Sequence, residues 1–131
     1  MKINIETKID AEVLENIFVT AIEGGSNYWL GISNKDIKLV RQVVSREKEE
    51  CLSMAIYKAV CEEGLELPIF DIEDEDEMLG ILSMSTIPQR LGELMQSGDN
   101  WALRNELNGD GDADSSDIIF QYLVMGEVIY G

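Results

Sequence analysis

The side chains able to do acid–base or ligand chemistry in this chain are almost all carboxylates. Its 131 residues include 26 Asp and Glu, 10 Lys and Arg, and no histidine. Without imidazole, Ser-His-Asp and Cys-His catalysis and histidine metal ligands are excluded. With so many acids, some pair of carboxylates has a suggestive spacing in any fold, so no glycosidase-type pair can be assigned. We therefore expect no enzyme, and we assign no catalytic residue and no cofactor.

A segment with two adjacent aromatic residues is the first candidate site. It includes Glu23, Gly24-Gly25, Tyr28 and Trp29. Glu23 falls near the end of a predicted helix, where the helix dipole disfavours a carboxylate. Either Glu23, Tyr28 and Trp29 form a recognition or catalytic corner, or the glycines end the helix and the aromatic rings pack in the core or at its rim. We take Glu23, Tyr28 and Trp29 as the candidate partner-binding residues, and Glu23-assisted hydrolysis as a hypothesis that Glu23→Gln would test.

The second candidate is an Asp/Gly-rich loop over residues 106–117, which resembles the calcium loops of EF-hand and dockerin modules. Hard oxygen ligands at alternating positions are what Ca²⁺ requires. The aligned residues are Glu106, Asn108, Asp110, Asp114 and Asp117, with the carbonyl of Asp112 and a turn at Gly111. Three features count against a calcium loop: Glu106 stands where Asp is expected, Ala113 is small, and there is no second loop. The other interpretation is a solvated turn with Asp114 or Ser115 capping a helix. We assign no metal ligand; calcium binding stays an alternative, which a melting curve unchanged by Ca²⁺ would eliminate.

Negative charge is concentrated in the second half of the chain. The net charge is -16, with 8 basic and 9 acidic residues over 1–58 but 2 and 17 over 59–131. Direct binding to nucleic acid or to an anionic membrane is therefore disfavoured, whereas a basic protein partner is possible. The acidic run over residues 71–77 is either a solvated turn or a mimic of DNA phosphates that inhibits a host nucleic-acid-binding protein. Capture of a basic protein that DNA displaces would distinguish the mimic.

The lack of a recognisable targeting signal predicts a cytoplasmic protein. The opening six residues lack the apolar core of a secretory signal, and no segment approaches the ~20 apolar residues of a membrane span. Cys51 and Cys61 fall in one predicted helix, about 15 Å apart by helical rise, so they cannot pair within the chain. Unpaired thiols favour a reducing compartment, with buried packing as the role of each cysteine.

Helical periodicity and turn signals predict which helices, strands and turns carry these candidate residues. After a short strand-like start, apolar spacing predicts a helix that Asp10 caps and Gly24-Gly25 ends. The next assignments are an extended or turning stretch over 26–32, a segment that fits helix or strand over 37–44, and a helix over about 45–63.

The second half predicts a hairpin and three helices. Strands over 65–72 and 78–83 flank a turn made by the acidic run 73–77. The helices are one started by a Thr86/Gln89 capping box and ended by Gly98, a short one over 101–107, and a final one from Asp117 to about Gly126. At 14.7 kDa the chain is predicted to be a single globular α+β domain over 1–131, with several helices packed with a small antiparallel β-hairpin or sheet.

Segments at both ends of the chain resemble a family of small proteins encoded by bacteriophages and prophages. They are Ile22-Glu23-Gly24-Gly25 followed by Tyr28-Trp29, and an ending Asp112-Ala113-Asp114-Ser115-Ser116-Asp117, then Gln121 and Gly126-Glu127-Val128-Ile129-Tyr130-Gly131. The resemblance spans about Val13 to Gly131, although Met125 stands where the family usually has an aromatic and the Asp/Gly loop is longer. It implies a compact α+β domain from a mobile element in a bacterial host, and it implies no activity. The leading hypothesis is an accessory protein that binds an unknown protein partner, with a basic protein as the candidate, through the Tyr28/Trp29 corner or the acidic half.

Overall fold

The computed structural model describes residues 8–44 and 50–131. Over these ranges six helices accompany a three-stranded antiparallel sheet, which confirms the α+β class. The helices are α1 (Ala11–Thr20), α2 (Asn34–Val43), α3 (Leu52–Tyr57), α4 (Ile87–Met95), α5 (Asn100–Leu107) and α6 (Ala113–Met125), and the strands are β1 (Leu30–Gly31), β2 (Leu67–Asp71) and β3 (Asp74–Leu82). The predicted strand at the start and residues 45–49 of the predicted second helix lie outside the described residues. None of the described helices has the length and apolarity to cross a bilayer.

The predicted first helix is confirmed up to its glycines, but its last turn is widened. α1 continues into a π-helical turn, Ala21–Gly25, in which the Ser26 amide donates to the Ala21 carbonyl at 2.8 Å. Gly25 is needed here because a Cβ would lie 2.5 Å from the carbonyl oxygen of Ala113. The start of α6 therefore packs directly on this turn.

Two further helices differ from their predicted bounds. The ambiguous segment 37–44 belongs to helix α2, which Ser33 caps by accepting from the Asp36 amide at 3.1 Å. α3 begins at Leu52 and continues as a second π-helical turn to Glu62, so Cys51 is the residue before the helix. The expectation that both cysteines are buried is wrong for Cys51, which is exposed, while Cys61 is half-buried.

The hairpin is confirmed, but the acidic run is not its turn. β3 already begins at Asp74, so residues 74–77 lie on the strand and the turn is formed by Ile72 and Glu73 alone. The cause is local hydrogen bonding: the Asp71 carboxylate accepts from the Glu73 amide at 2.8 Å, and that of Asp74 accepts from the Asp76 amide at 3.0 Å. The first of these bonds is an Asx turn at the chain reversal, whereas the second lies within β3.

The starts of α4 and α6 also correct the sequence prediction. Thr86 precedes α4, but its hydroxyl donates to the Ser83 carbonyl, and Gln89 donates to Glu93, so no capping box forms. α6 begins at Ala113 rather than Asp117. The cap is Asp112, which exchanges hydrogen bonds with Ser115 in a capping box, rather than the expected Asp114 or Ser115.

α6 is the central helix of the core. It ends as predicted at Gly126, whose φ of 78° is the left-handed conformation typical of a helix C-terminus. Phe120 packs edge-to-face with Phe18 of α1 at a centroid distance of 5.2 Å. Gly80 of β3 lies so close that a Cβ there would collide with the Val124 carbonyl. One face of the sheet is thereby buried against α6.

Candidate functional site

The carboxylate of Asp117 joins the aromatic corner to α6. Its Oδ1 accepts from Ser26 Oγ at 2.8 Å and from Trp29 Nε1 at 2.7 Å. Its Oδ2 accepts from the Tyr28 hydroxyl at 2.6 Å and from Gln121 Nε2 at 3.2 Å. With 8% of its surface exposed, this anion is almost removed from water, and the four donors replace its hydration.

Gln121 extends the network to the last residues of the chain. Its Oε1 accepts from the amides of Ile129 at 2.8 Å and Tyr130 at 2.9 Å, and its Nε2 also donates to the Tyr130 carbonyl at 3.2 Å. The Tyr130 ring stacks on Trp29 with a centroid distance of 5.7 Å and contacts the edge of Tyr28 at 6.5 Å. Residues 129 and 130 are therefore fastened over the corner by one amide side chain.

Beside this network lies an open cleft of about 510 Å³, which we call the Tyr28 cleft. Its aromatic and acidic lining consists of Tyr28, Trp101, Asp114, Asp117 and Tyr130. Two of the rings face solvent: Tyr28 is 50% exposed and Trp101 42%. Among the described residues that line the cleft there is no Lys or Arg. The cleft therefore combines π faces and carboxylates without a cation of its own.

The electrostatics of the cleft are dominated by negative charge. Burial raises the pKa of Tyr28 to about 12, and the hydrogen bond to Asp117 and the charges of Asp117 and Asp114 add to the effect. The pKa of Tyr130 is raised by burial and then by the charges of Asp71 and Glu77. Both phenols are thus neutral at ordinary pH and able to donate hydrogen bonds.

The acidic hairpin is attached to the same corner. The amide of Ile72, in the hairpin turn, donates to the Trp29 carbonyl at 2.9 Å, and Leu30 pairs with Asp71. The effect of Asp71 and Glu77 on Tyr130 comes from this proximity. Cleft and hairpin tip therefore belong to one continuous acidic surface.

The structure places the three candidate residues in different environments. Tyr28 lines the cleft and is exposed. Trp29 is only 2% exposed, so its indole packs in the core, as the alternative interpretation had it. Glu23 is exposed but lies outside the cleft lining and accepts from Ser53 Oγ at 2.8 Å.

Sequence reasoning missed the acceptor that organises the corner. The sequence prediction gives Asp117 a role only as a calcium ligand and as the start of the last helix, and it gives Ser26 and Trp101 no functional role. The available signal was the spacing of Asp117 and Gln121, which places both on one face of a helix. The segments that carry the phage-protein resemblance contain Tyr28, Trp29, Asp117 and Gln121, and these four residues meet in this network.

The geometry of residues 106–117 gives calcium binding no support. The Glu106 carboxylate accepts from Ser115 Oγ at 3.0 Å and Ser116 Oγ at 2.7 Å. Asp112 caps α6, and Asp117 is engaged at the corner. Over residues 8–44 and 50–131, no three Cys, Asp or Glu side chains gather in a way that could hold a metal ion.

Comparison with known proteins identifies no relative: the chain matches no family model, no curated protein and no solved structure. The resemblance to phage and prophage proteins therefore stays a prediction. Function has to be inferred from the chemistry of the Tyr28 cleft and the acidic surface around it.

Proposed function

We propose that this chain is a protein-interaction module that binds a basic segment of another protein and seats a Lys or Arg side chain in the Tyr28 cleft. The observation that carries the proposal is the pairing of the exposed Tyr28 and Trp101 rings with the carboxylates of Asp114 and Asp117. A cation over an aromatic face gains about 0.5–2 kcal/mol, and nearby carboxylates add charge complementarity. Aromatic side chains are also frequent energetic anchors of interfaces.

Binding fits the cleft better than catalysis does. A general base needs a carboxylate free to take a proton, whereas Asp117 already accepts four hydrogen bonds. A Tyr28 pKa of about 12 leaves very little phenolate to act as a nucleophile. The same features suit recognition, because they hold the cleft in one shape before a partner arrives.

The phage-protein resemblance suggests the setting of this interaction. An accessory protein of a mobile element would act in the host cytoplasm on a host protein, and a net charge of -16 favours basic partners. DNA mimicry by the acidic run over residues 71–77 is a different hypothesis, since it requires that DNA compete for the partner. Capture from host lysate at two salt concentrations, with and without DNA, separates the two.

The direct test uses the two tryptophans as internal probes. A ¹⁵N-labelled chain is titrated with a short peptide containing Arg, and with the same peptide containing citrulline, which is neutral and nearly isosteric. We expect the indole N–H signal of Trp101 to shift with Arg only, while that of the buried Trp29 stays in place. Asp114→Asn should weaken the response, and Trp101→Ala, followed through the backbone amide signals of the cleft, should weaken binding by up to about thirtyfold. Equal shifts with Arg and citrulline would contradict the proposal.

A further inference from the structure

A second surface lies on the hairpin, on the side of the sheet opposite α6. In β2 the side chains of Leu67 and Ile69 are buried on the inner face, as is Leu82 of β3. The alternate residues of β2 must then point outward, and a register shift between Ile69 and Phe70, which leaves Leu79 unpaired, puts Met78 on the same outer side as Ile81. Pro68 lies opposite Ile81, and Phe70 lies opposite Met78. We call Pro68, Phe70, Met78 and Ile81 the outer face.

The outer face is apolar, although no described helix covers it. Met78 is 53% exposed and Ile81 42%, while Pro68 and Phe70 are half-buried. An antiparallel sheet with one face in water normally carries polar residues there. Contiguous exposed apolar residues with a polar rim are a mark of interaction surfaces.

The charge around the outer face indicates which kind of partner can bind there. Glu66 precedes it, Asp71 ends β2, Glu73 lies in the turn, and residues 74–77 are four exposed acids on β3 itself. No Lys or Arg occurs between Lys58 and Arg90. A second copy of this chain would bring these carboxylates against one another, which costs free energy at low dielectric. A basic partner would instead gain from them.

We propose that the outer face binds an amphipathic basic helix of a partner protein. A sheet that is apolar on both faces is completed by a helix on each, and among the described helices only α6 packs extensively on this sheet. A helix offers an apolar stripe at positions i, i+3, i+4 and i+7, and Lys or Arg beside that stripe would meet the acidic rim. This surface goes beyond the Tyr28 cleft, because it takes a helix face rather than a single cationic side chain.

The test uses an amphipathic Leu/Lys peptide of about four helical turns as the probe. Its control is a peptide of the same composition in a scrambled order that spreads Leu around the helix. We expect the amphipathic peptide to bind and to shift the methyl signal of Met78, and Met78→Thr with Ile81→Thr to weaken binding at least about tenfold. Thr keeps the β-propensity of the strand, and the Met78 signal of the unsubstituted chain gives a readout that does not depend on the variant folding.

Two control variants and two contrary outcomes complete the test. Leu39→Gln, which changes an exposed apolar residue of α2, should leave peptide binding unchanged. The Met78 shift should also persist in Trp101→Ala, in which a Lys of the peptide can no longer stack on that ring of the Tyr28 cleft, so a failure of the Tyr28 cleft proposal is distinguishable from a failure of this one. An equal Met78 shift with the scrambled peptide would overturn the proposal. A wild-type dimer that Ile81→Thr dissociates would also overturn it, because the face would then belong to a second copy.

Discussion

Trp29 donates its indole N–H to Asp117 Oδ1 at 2.7 Å, across 88 positions of the chain. The acceptor is an almost buried anion, and the donor is one of the largest buried side chains of the core. Because the same carboxylate also accepts from Ser26 and Tyr28, one residue of α6 fixes the whole turn after α1. The shape of the Tyr28 cleft thus depends on the side chain of Asp117.

Replacing Asp117 by Asn should destabilise the fold by about 2–4 kcal/mol, because hydrogen bonds to a charged group are strong and an amide presents donors to donors. Denaturant unfolding measures the loss. The matched control is Asp114→Asn, which removes the same charge from an exposed position and should cost less than about 0.5 kcal/mol. Similar losses in both variants would show that the effect is one of net charge.

Adjacent glycines at the end of α1 should respond in opposite ways to alanine. Gly25→Ala should cost about 1–3 kcal/mol, because its Cβ would meet the Ala113 carbonyl oxygen at 2.5 Å. A Cβ on Gly24 meets nothing within 4 Å, so Gly24→Ala should be neutral or slightly stabilising. Thermal melts of the two variants provide the comparison. Equal destabilisation would mean that the start of α6 does not pack on this turn.

Alkaline pH should weaken the fold through Tyr28. Its pKa is raised from 10.0 to about 12, so the folded state holds the phenol proton more tightly than the unfolded state does. The resulting stabilisation is complete below pH 10 and is lost as the pH rises towards about 12. Unfolding free energies measured over this range should fall less steeply for Tyr28→Phe. Identical slopes would exclude Tyr28 as the source.

The two cysteines should differ in reactivity towards an alkylating reagent. Cys51 is exposed, whereas burial and then the charge of Glu62 raise the pKa of Cys61 to about 12. Because the thiolate is the reactive species, we expect one thiol to be modified rapidly and the second only after unfolding. Mass spectrometry counts the adducts. Cys51→Ser should remove the fast phase, and a fast phase that persists would assign it to Cys61.

Local signals in the sequence were sufficient for part of the fold. The spacing of apolar residues predicted α1, the short helix predicted over 101–107 is α5, and Gly126 marked the end of α6 correctly. The start of α6 was misplaced because several Asp and Ser residues over 112–117 are all plausible caps, and only the reciprocal bonds of Asp112 and Ser115 decide between them. Such a choice rests on geometry that composition does not contain.

The candidate site was less accessible to sequence reasoning. Tyr28 and Trp29 were selected from their residue types, but their acceptor lies about 90 positions away, and no local pattern links them. The exposure of Trp101 and the burial of Trp29 likewise depend on which helices pack against them. Tertiary packing, rather than intrinsic propensity, makes Trp101 an exposed ring of the cleft and Trp29 a core residue.

The hydrogen bonds between the Gln121 side chain and the backbone of residues 129 and 130 have a consequence during synthesis of the chain. The Tyr28 cleft needs groups from residue 25 to residue 130, so a growing polypeptide cannot present it until almost all of these residues have left the ribosome. Contacts between such distant positions also tend to form late in folding. A partner that recognises the cleft would therefore ignore nascent and truncated chains and engage only molecules whose translation has passed Tyr130.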